Sequence, residues 1–188
     1  MSPTRRRFTT YIIIAAVIGT LGLASCERTK TYRKKAMKHQ LAVGDMAPDF
    51  SLRDDNNTMR KLSDMRGHKV ALYFYPKDQT PGCTAQACSI RDALGALTNE
   101  GITVWGISYD SVASHQKFRE KYHLTFPLLS DSSKKVAGLY GVKGLLLAQR
   151  VTFLVDEDGI IVGIIRDIDV ANHADQIHEG FAAAARRS

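Results

Sequence analysis

Apolar runs long enough to cross a bilayer are missing from this 188-residue chain, as are internal repeats, low-complexity tracts and clustered histidines. The strictly apolar stretch from Tyr11 to Ala24 is shorter than the ~20 residues a membrane-spanning helix needs. The six histidines have no metal-ligand spacing, so no metal is expected, and no cofactor either. Cysteine is scarce, with only three: Cys26, Cys83 and Cys88. Neither C-x-x-C nor C-x-x-x-C occurs, which weighs against a thiol–disulfide oxidoreductase and against a copper-binding chaperone. Net charge is also missing from most of the chain. Nine of the 26 Lys and Arg and one of the 19 Asp and Glu precede Gln40, leaving 17 basic against 18 acidic residues beyond. The formal +7 therefore sits in the N-terminal stretch, and a nucleic-acid partner loses its main support.

That stretch has three parts: basic Arg5 to Arg7, apolar Tyr11 to Ala24, and Leu23-Ala24-Ser25-Cys26. The order is that of an export signal. Thr4 to Phe8 resembles a twin-arginine signal, and Leu23 to Cys26 resembles a bacterial lipobox, whose cysteine is acylated and becomes the first residue after cleavage. The expectation is an export signal over 1–25, a basic tether over 26–40 and a folded domain over 41–188. The alternative is an uncleaved membrane helix. Lipid on Cys26, aided by six positive charges between Arg28 and Lys38, would hold the protein at the extracytoplasmic face of a bacterial inner membrane. Setting Cys26 aside leaves Cys83 and Cys88, an even number for a disulfide-permissive compartment.

Beyond the tether the hydrophobic pattern changes period repeatedly. Val43 to Leu52 and Thr58 to Leu62 read as a short extended pair around Asp54 to Asn57, and Lys69 to Tyr75 reads as a buried strand. A helix is expected from about Pro81 to Leu97, a strand over Ile102 to Ser108, a helix capped by Ser111 or Ser114 and ending near Tyr122, and an extended piece at Phe126 to Leu129. Asp131-Ser132-Ser133 can open a short helix toward Tyr140 that a left-handed Gly141 closes. Val151 to Val155 and Ile160 to Ile165 flank Asp156-Glu157-Asp158-Gly159 as a hairpin, and Asn172 can cap a last helix to about Arg186. Trp105 reads as core. The order predicts a thioredoxin-like α/β fold: a mixed central sheet flanked by helices, with an N-terminal β-hairpin. Lys143 to Gln149, KGLLLAQ, is unusually apolar for a connection and is expected to be a buried turn, the alternatives being a cover over a pocket, a contact for a partner protein such as a reductant, or a face against a membrane.

Within Tyr73 to Arg91 the strand breaks at Pro76 and delivers Cys83 to a helix start. Thr80 can cap that helix, Pro81 suits its first position and Gly82 permits close approach of the backbone. Unpaired N–H groups and the positive helix end would stabilise a thiolate at Cys83, making it the candidate nucleophile; the plain alternative is a structural cysteine. Five residues along a helix advance about 7.5 Å and turn about 500°, so Cys83 and Cys88 lie on different sides of an intact helix. A disulfide needs Cα atoms within about 7 Å, so the first turns would have to unwind to form one.

Pro76-Lys77-Asp78-Gln79-Thr80-Pro81-Gly82-Cys83 contains P-x-x-x-T-x-x-C, followed by Ala87-Cys88 and Arg91-Asp92. Through these residues, and through Gly44 to Phe50, Gly106 to Ser111, Phe126 to Asp131 and Arg150 to Phe153, the chain resembles the peroxiredoxins of the monomeric Q type, also called bacterioferritin comigratory protein. The resemblance covers about Leu41 to the C-terminus. It implies a peroxidase acting on hydrogen peroxide and organic hydroperoxides: Cys83 becomes a sulfenic acid, Cys88 resolves it as an intramolecular disulfide, and a thioredoxin-like donor re-reduces it. It also implies that Arg150 supplies the cation, that the Thr80 hydroxyl orients sulfur and peroxide, that Pro76 shields the pocket, and that the protein is a monomer. Alone, Arg150 would read as a solvated surface residue.

Overall fold

The computed structural model describes residues 40–187. Cys26, the leader and all of the tether but Gln40 lie outside them. Seven strands form one sheet: β1 (Ser51–Asp54), β2 (Met59–Lys61), β3 (Lys69–Phe74), β4 (Ile102–Ser108), β5 (Leu128–Ser130), β6 (Val151–Val155) and β7 (Ile161–Ile165), in the spatial order β2-β1-β5-β4-β3-β6-β7. β3 pairs parallel with β4, and β4 with β5. The β1–β2, β1–β5, β3–β6 and β6–β7 pairs are antiparallel. The α-helices among the described residues are α1 (Pro81–Asn99), α2 (Val112–Tyr122), α3 (Lys135–Leu139) and α4 (His173–Ala185). This is the mixed, helix-flanked thioredoxin-like sheet, with its N-terminal hairpin, that the sequence predicts.

Successive side chains of a strand point to opposite faces, and β3 shows the effect. Val70, Leu72 and Phe74 enter a core with Phe50, Trp105, Tyr140 and Phe153, covered by α3 and the segment before β1. Ala71, Tyr73 and the following Tyr75 enter a second core with Ile90 of α1, Phe118 of α2, and Ile177 and Phe181 of α4. A central strand buried on both faces is why KVALYFY is apolar throughout rather than alternating. Cys83 belongs to the second core, so the sulfur lies beyond the end of a strand buried on both faces. Gly106 of β4 is where the Tyr73 ring passes: a Cβ there would stand 2.6 Å from Tyr73 Oη and 2.8 Å from Leu128 Cδ2.

Several local expectations need correction. Most of Val43 to Leu52 is not strand; before β1 the segment joins the sheet edge by a Met46–Ile160 bridge and by Gly44 N donating to Ile161 O at 2.8 Å. Thr58 to Leu62 shortens to β2 because Leu62 to Met65 turn into a 3-10 helix that buries Leu62. The helix toward Tyr140 begins at Lys135, not Asp131, because the buried Asp131 carboxylate accepts from the Lys135 and Ala137 N–H groups and so sits before the first turn. Gly141 is left-handed as expected, at φ 69°. Ser111 caps α2, its Oγ accepting from Ser114 N at 3.2 Å. Asn172 does not cap α4 through its side chain, because its Nδ2 donates to Asp169 Oδ2 at 2.9 Å.

Candidate active site

Cys83 occupies the first turn of α1 and is 1% exposed. Arg150, immediately before β6, reaches across the end of the sheet and donates from Nη2 to Cys83 Sγ at 3.2 Å. The other arm of the guanidinium, Nη1, donates to Gln86 Oε1. A planar two-armed cation is thus fixed against the sulfur by one partner from each end of the same helical turn. Arg150 is half-buried rather than solvated, and β6 places it because its neighbour Val151 pairs with Phe74, two residues before Pro76.

Thr80 has the extended backbone of an N-cap, φ −80° and ψ 149°, but its hydroxyl does not cap α1. Thr80 Oγ1 donates instead to Lys77 O at 3.0 Å, while Thr80 O accepts from Thr84 N at 2.8 Å. Pro81 is at the first helical position, where a missing N–H costs nothing. Gly82 is not required for a close backbone approach: a Cβ there would meet Arg150 Nη2 at an ordinary 3.5 Å. Pro76 is half-buried at the end of β3. Cys88 is half-buried on α1 and carries a free thiol, as does Cys83.

The loop from Pro76 to Thr80 is braced from below by a network the sequence reading did not anticipate. Tyr75 Oη donates to Asp78 Oδ1 at 2.7 Å, Ser114 Oγ donates to Asp78 Oδ2 at 2.7 Å, and His115 Nδ1 lies 2.9 Å from the same Oδ2. Asp78 N donates to Asp110 Oδ2 at 2.9 Å. Burial alone would raise the Asp78 pKa, but hydrogen bonds from His115, Tyr75 and Ser114 hold it below the usual carboxylate value. The brace fixes a loop that includes a left-handed Gln79, φ 59°, and so fixes the entry to α1.

Three more side chains stand around Arg150 and Cys83. Gln86 lies three residues after Cys83, on the same helical face, a spacing that could have marked it. Tyr73 is fully buried, its ring stacked on Tyr75 at 5.3 Å between centroids. Burial, and then the negative charges at Asp78 and Cys83, push its pKa well above the usual tyrosine value, so it stays a neutral O–H donor. His173 on α4 is buried as well: its Nε2 lies 2.9 Å from Thr152 Oγ1, and its Nδ1 is 3.1 Å from Gln176 Oε1. Burial lowers the His173 pKa to about 4, with Arg150 pressing the same way, so it does not add a second cation beside Arg150. Tyr73 Oη and Gln86 Nε2 have no hydrogen-bond partner among the described residues. No group of three or more His, Cys, Asp or Glu among those residues could hold a metal ion.

A buried cysteine at a helix N-terminus, touched by an arginine from a neighbouring strand, suits attack on an electrophile that must shed negative charge. The sequence matches the AhpC/TSA family over residues 43–164. It is 44% identical over 148 residues to the putative peroxiredoxin bcp of Coxiella burnetii, covering 73% of this chain and 96% of that one. This chain belongs to the AhpC/TSA family, among the Bcp/PrxQ-type peroxiredoxins. Peroxiredoxin Bcp of Escherichia coli is 41% identical over 145 residues, covering 73% of this chain and 93% of that one. Peroxidoxin BcpB of Mycobacterium tuberculosis, a crystal structure, superposes with TM-score 0.71 at 37% identity, over 76% of this chain and 97% of that one. A PrxQ mutant of Xylella fastidiosa superposes with TM-score 0.74 at 31% identity, over 78% and 99%. As a peroxiredoxin the chain is a thiol-dependent peroxidase acting on hydroperoxides, with a thioredoxin-like reductant as its partner. The dithiol oxidoreductase and copper-chaperone readings fall away.

Proposed function

We propose that Cys83 is the peroxidatic residue, that Cys88 resolves it within the same chain, and that Arg150, Thr80 and Pro76 complete the site. The contact between Arg150 Nη2 and Cys83 Sγ carries this reading. The Cys83 thiolate attacks one oxygen of the O–O bond, forming S–O while the other oxygen leaves as an alkoxide or hydroxide that takes up a proton. Arg150 stabilises both the sulfur anion before attack and the charge that spreads onto the oxygens during it. The Thr80 hydroxyl donates its own hydrogen bond to the Lys77 carbonyl, so its oxygen is left to accept from the hydroperoxide O–H and hold it toward the sulfur. Half-buried Pro76 limits water at the mouth. The Cys88 thiol then displaces the sulfenic hydroxyl as water, leaving a disulfide that a donor dithiol reduces. Adding one equivalent of hydroperoxide to reduced protein should convert both thiols into a Cys83–Cys88 intrachain disulfide, located by peptide mapping. A disulfide between two chains, or one involving Cys26, would refute Cys88 as the intramolecular resolver and the monomer as the working unit.

The N-terminal sequence supports export and anchoring. Arg5 to Arg7, the apolar run and Leu23-Ala24-Ser25-Cys26 stand in the order of a lipoprotein signal, and the six basic residues after Cys26 suit anionic headgroups. Among the described residues no helix is long and apolar enough to cross a membrane. The intact mass of protein from native membranes should be that of residues 26–188 plus acyl chains on Cys26. The unprocessed mass of all 188 residues would refute cleavage and lipidation together.

A further inference from the structure

The connection from α3 to β6, expected to be buried, is instead an apolar protrusion. Leu145, Leu146 and Leu147 are 91%, 78% and 46% exposed. Their base is fixed: Val142 and Ala148 are buried on either side, and Gln149 N donates to Val142 O at 2.9 Å. The tip is held as well. Lys134 Nζ donates to Leu145 O at 3.2 Å, and the turn is tight enough that a Cβ on Gly144 would stand 2.2 Å from Leu147 O. Three leucines are thus presented outward by a firm backbone, where folding would otherwise bury them.

The chemistry around them names the occupant. From Ser132 to Gln149 the chain has no Asp or Glu, yet carries Lys134, Lys135 and Lys143, while the next basic residue, Arg150, is turned to Cys83 and Gln86. The nearest preceding acid, Asp131, is buried, its carboxylate spent on the N–H groups of Lys135 and Ala137. An apolar tip on a segment whose own free charges are all cationic matches acyl chains beneath anionic headgroups. The leucines form a projection at a bend, not a groove or a sheet edge that would receive a peptide. We infer that the Leu145–Leu147 loop inserts into an anionic lipid surface and seats the mouth of the active site against it. Arg150 follows Leu147 by three residues, so hydroperoxides formed within the bilayer would meet the Cys83 pocket at the interface. The inference is separate from the anchor proposed at Cys26 and adds a second point of contact.

The test uses residues 41–188, which lack leader and tether. They form a compact unit of their own, and the Mycobacterium tuberculosis structure is 97% covered by this region. Vesicles of phosphatidylglycerol and phosphatidylcholine in equal parts should carry the domain upward on flotation, and vesicles of phosphatidylcholine alone much less. Leu145→Ser with Leu146→Ser should cut binding about tenfold or more, since two fully exposed apolar side chains are removed, and leave hydrogen peroxide turnover unchanged. Unaltered flotation of the double variant, or none by the unsubstituted domain, overturns the inference. If flotation is absent and the double variant instead slows reduction by a dithiol protein donor, the loop docks that donor and the lipid assignment is wrong. Peroxide turnover in solution, read in parallel, reports on the peroxidase chemistry independently of either result.

Discussion

Cys83→Ser protein should consume no hydroperoxide above background, whereas Cys88→Ser protein should consume one equivalent and stop. The two cysteines sit five positions apart on one helix, yet only Cys83 meets Arg150. The nucleophile in such chemistry is a thiolate, and a serine hydroxyl is far too weakly acidic to replace it at neutral pH. Without Cys88 the first displacement is untouched, but the sulfenic acid has no neighbour to condense with, and it should be trappable on Cys83. Stopped-flow peroxide consumption followed by mass analysis reads both outcomes. Stoichiometric consumption by Cys83→Ser would transfer the peroxidatic role to Cys88. Sustained wild-type turnover by Cys88→Ser with a dithiol protein donor would remove its resolving role.

Arg150→Met should lower kcat/KM for hydrogen peroxide by about 10² to 10³, the usual cost of deleting a donor aimed at developing charge. Methionine keeps much of the apolar stem while removing both N–H arms, so the fold should survive. Two consequences of the geometry add up in that number. The sulfur loses its hydrogen bond and counter-charge, and the departing oxygen loses its cation. Arg150→Lys should recover only part of the loss, because an ammonium cannot span Gln86 Oε1 and Cys83 Sγ as the guanidinium fork does. A loss below fivefold in Arg150→Met, with circular dichroism unchanged, would show that Arg150 is a neighbour of the reaction and not a participant.

The elements of the fold were legible because their signals are local. Buried β3, the Asp156 to Gly159 hairpin and the Pro at the start of α1 each announce themselves within a few residues. The placement of Cys83 in the first turn of α1 was legible for the same reason. What failed depended on competition between partners. The Thr80 hydroxyl had a choice between the N–H groups of α1 and the Lys77 carbonyl, and only the fold decides it. The Asp78 brace joins residues 36 and 37 positions apart, Ser114 and His115, and leaves no periodic trace. Leu145 to Leu147 misled for a different reason: apolarity in a sequence predicts burial only when folding, rather than an outside surface, supplies the cover.

Arg150 is held by two residues of the same helical turn, and that shared tenure sets the order of events. Forming the Cys83–Cys88 bond requires this turn to come apart, which withdraws Cys83 and Gln86 from the guanidinium in one movement. The oxidised protein therefore cannot present an organised site to a second hydroperoxide. With Cys88 as the proposed resolver the helix would act as a turnstile: one hydroperoxide passes, the way closes, and only the arrival of two reducing electrons, by letting α1 wind again, resets it.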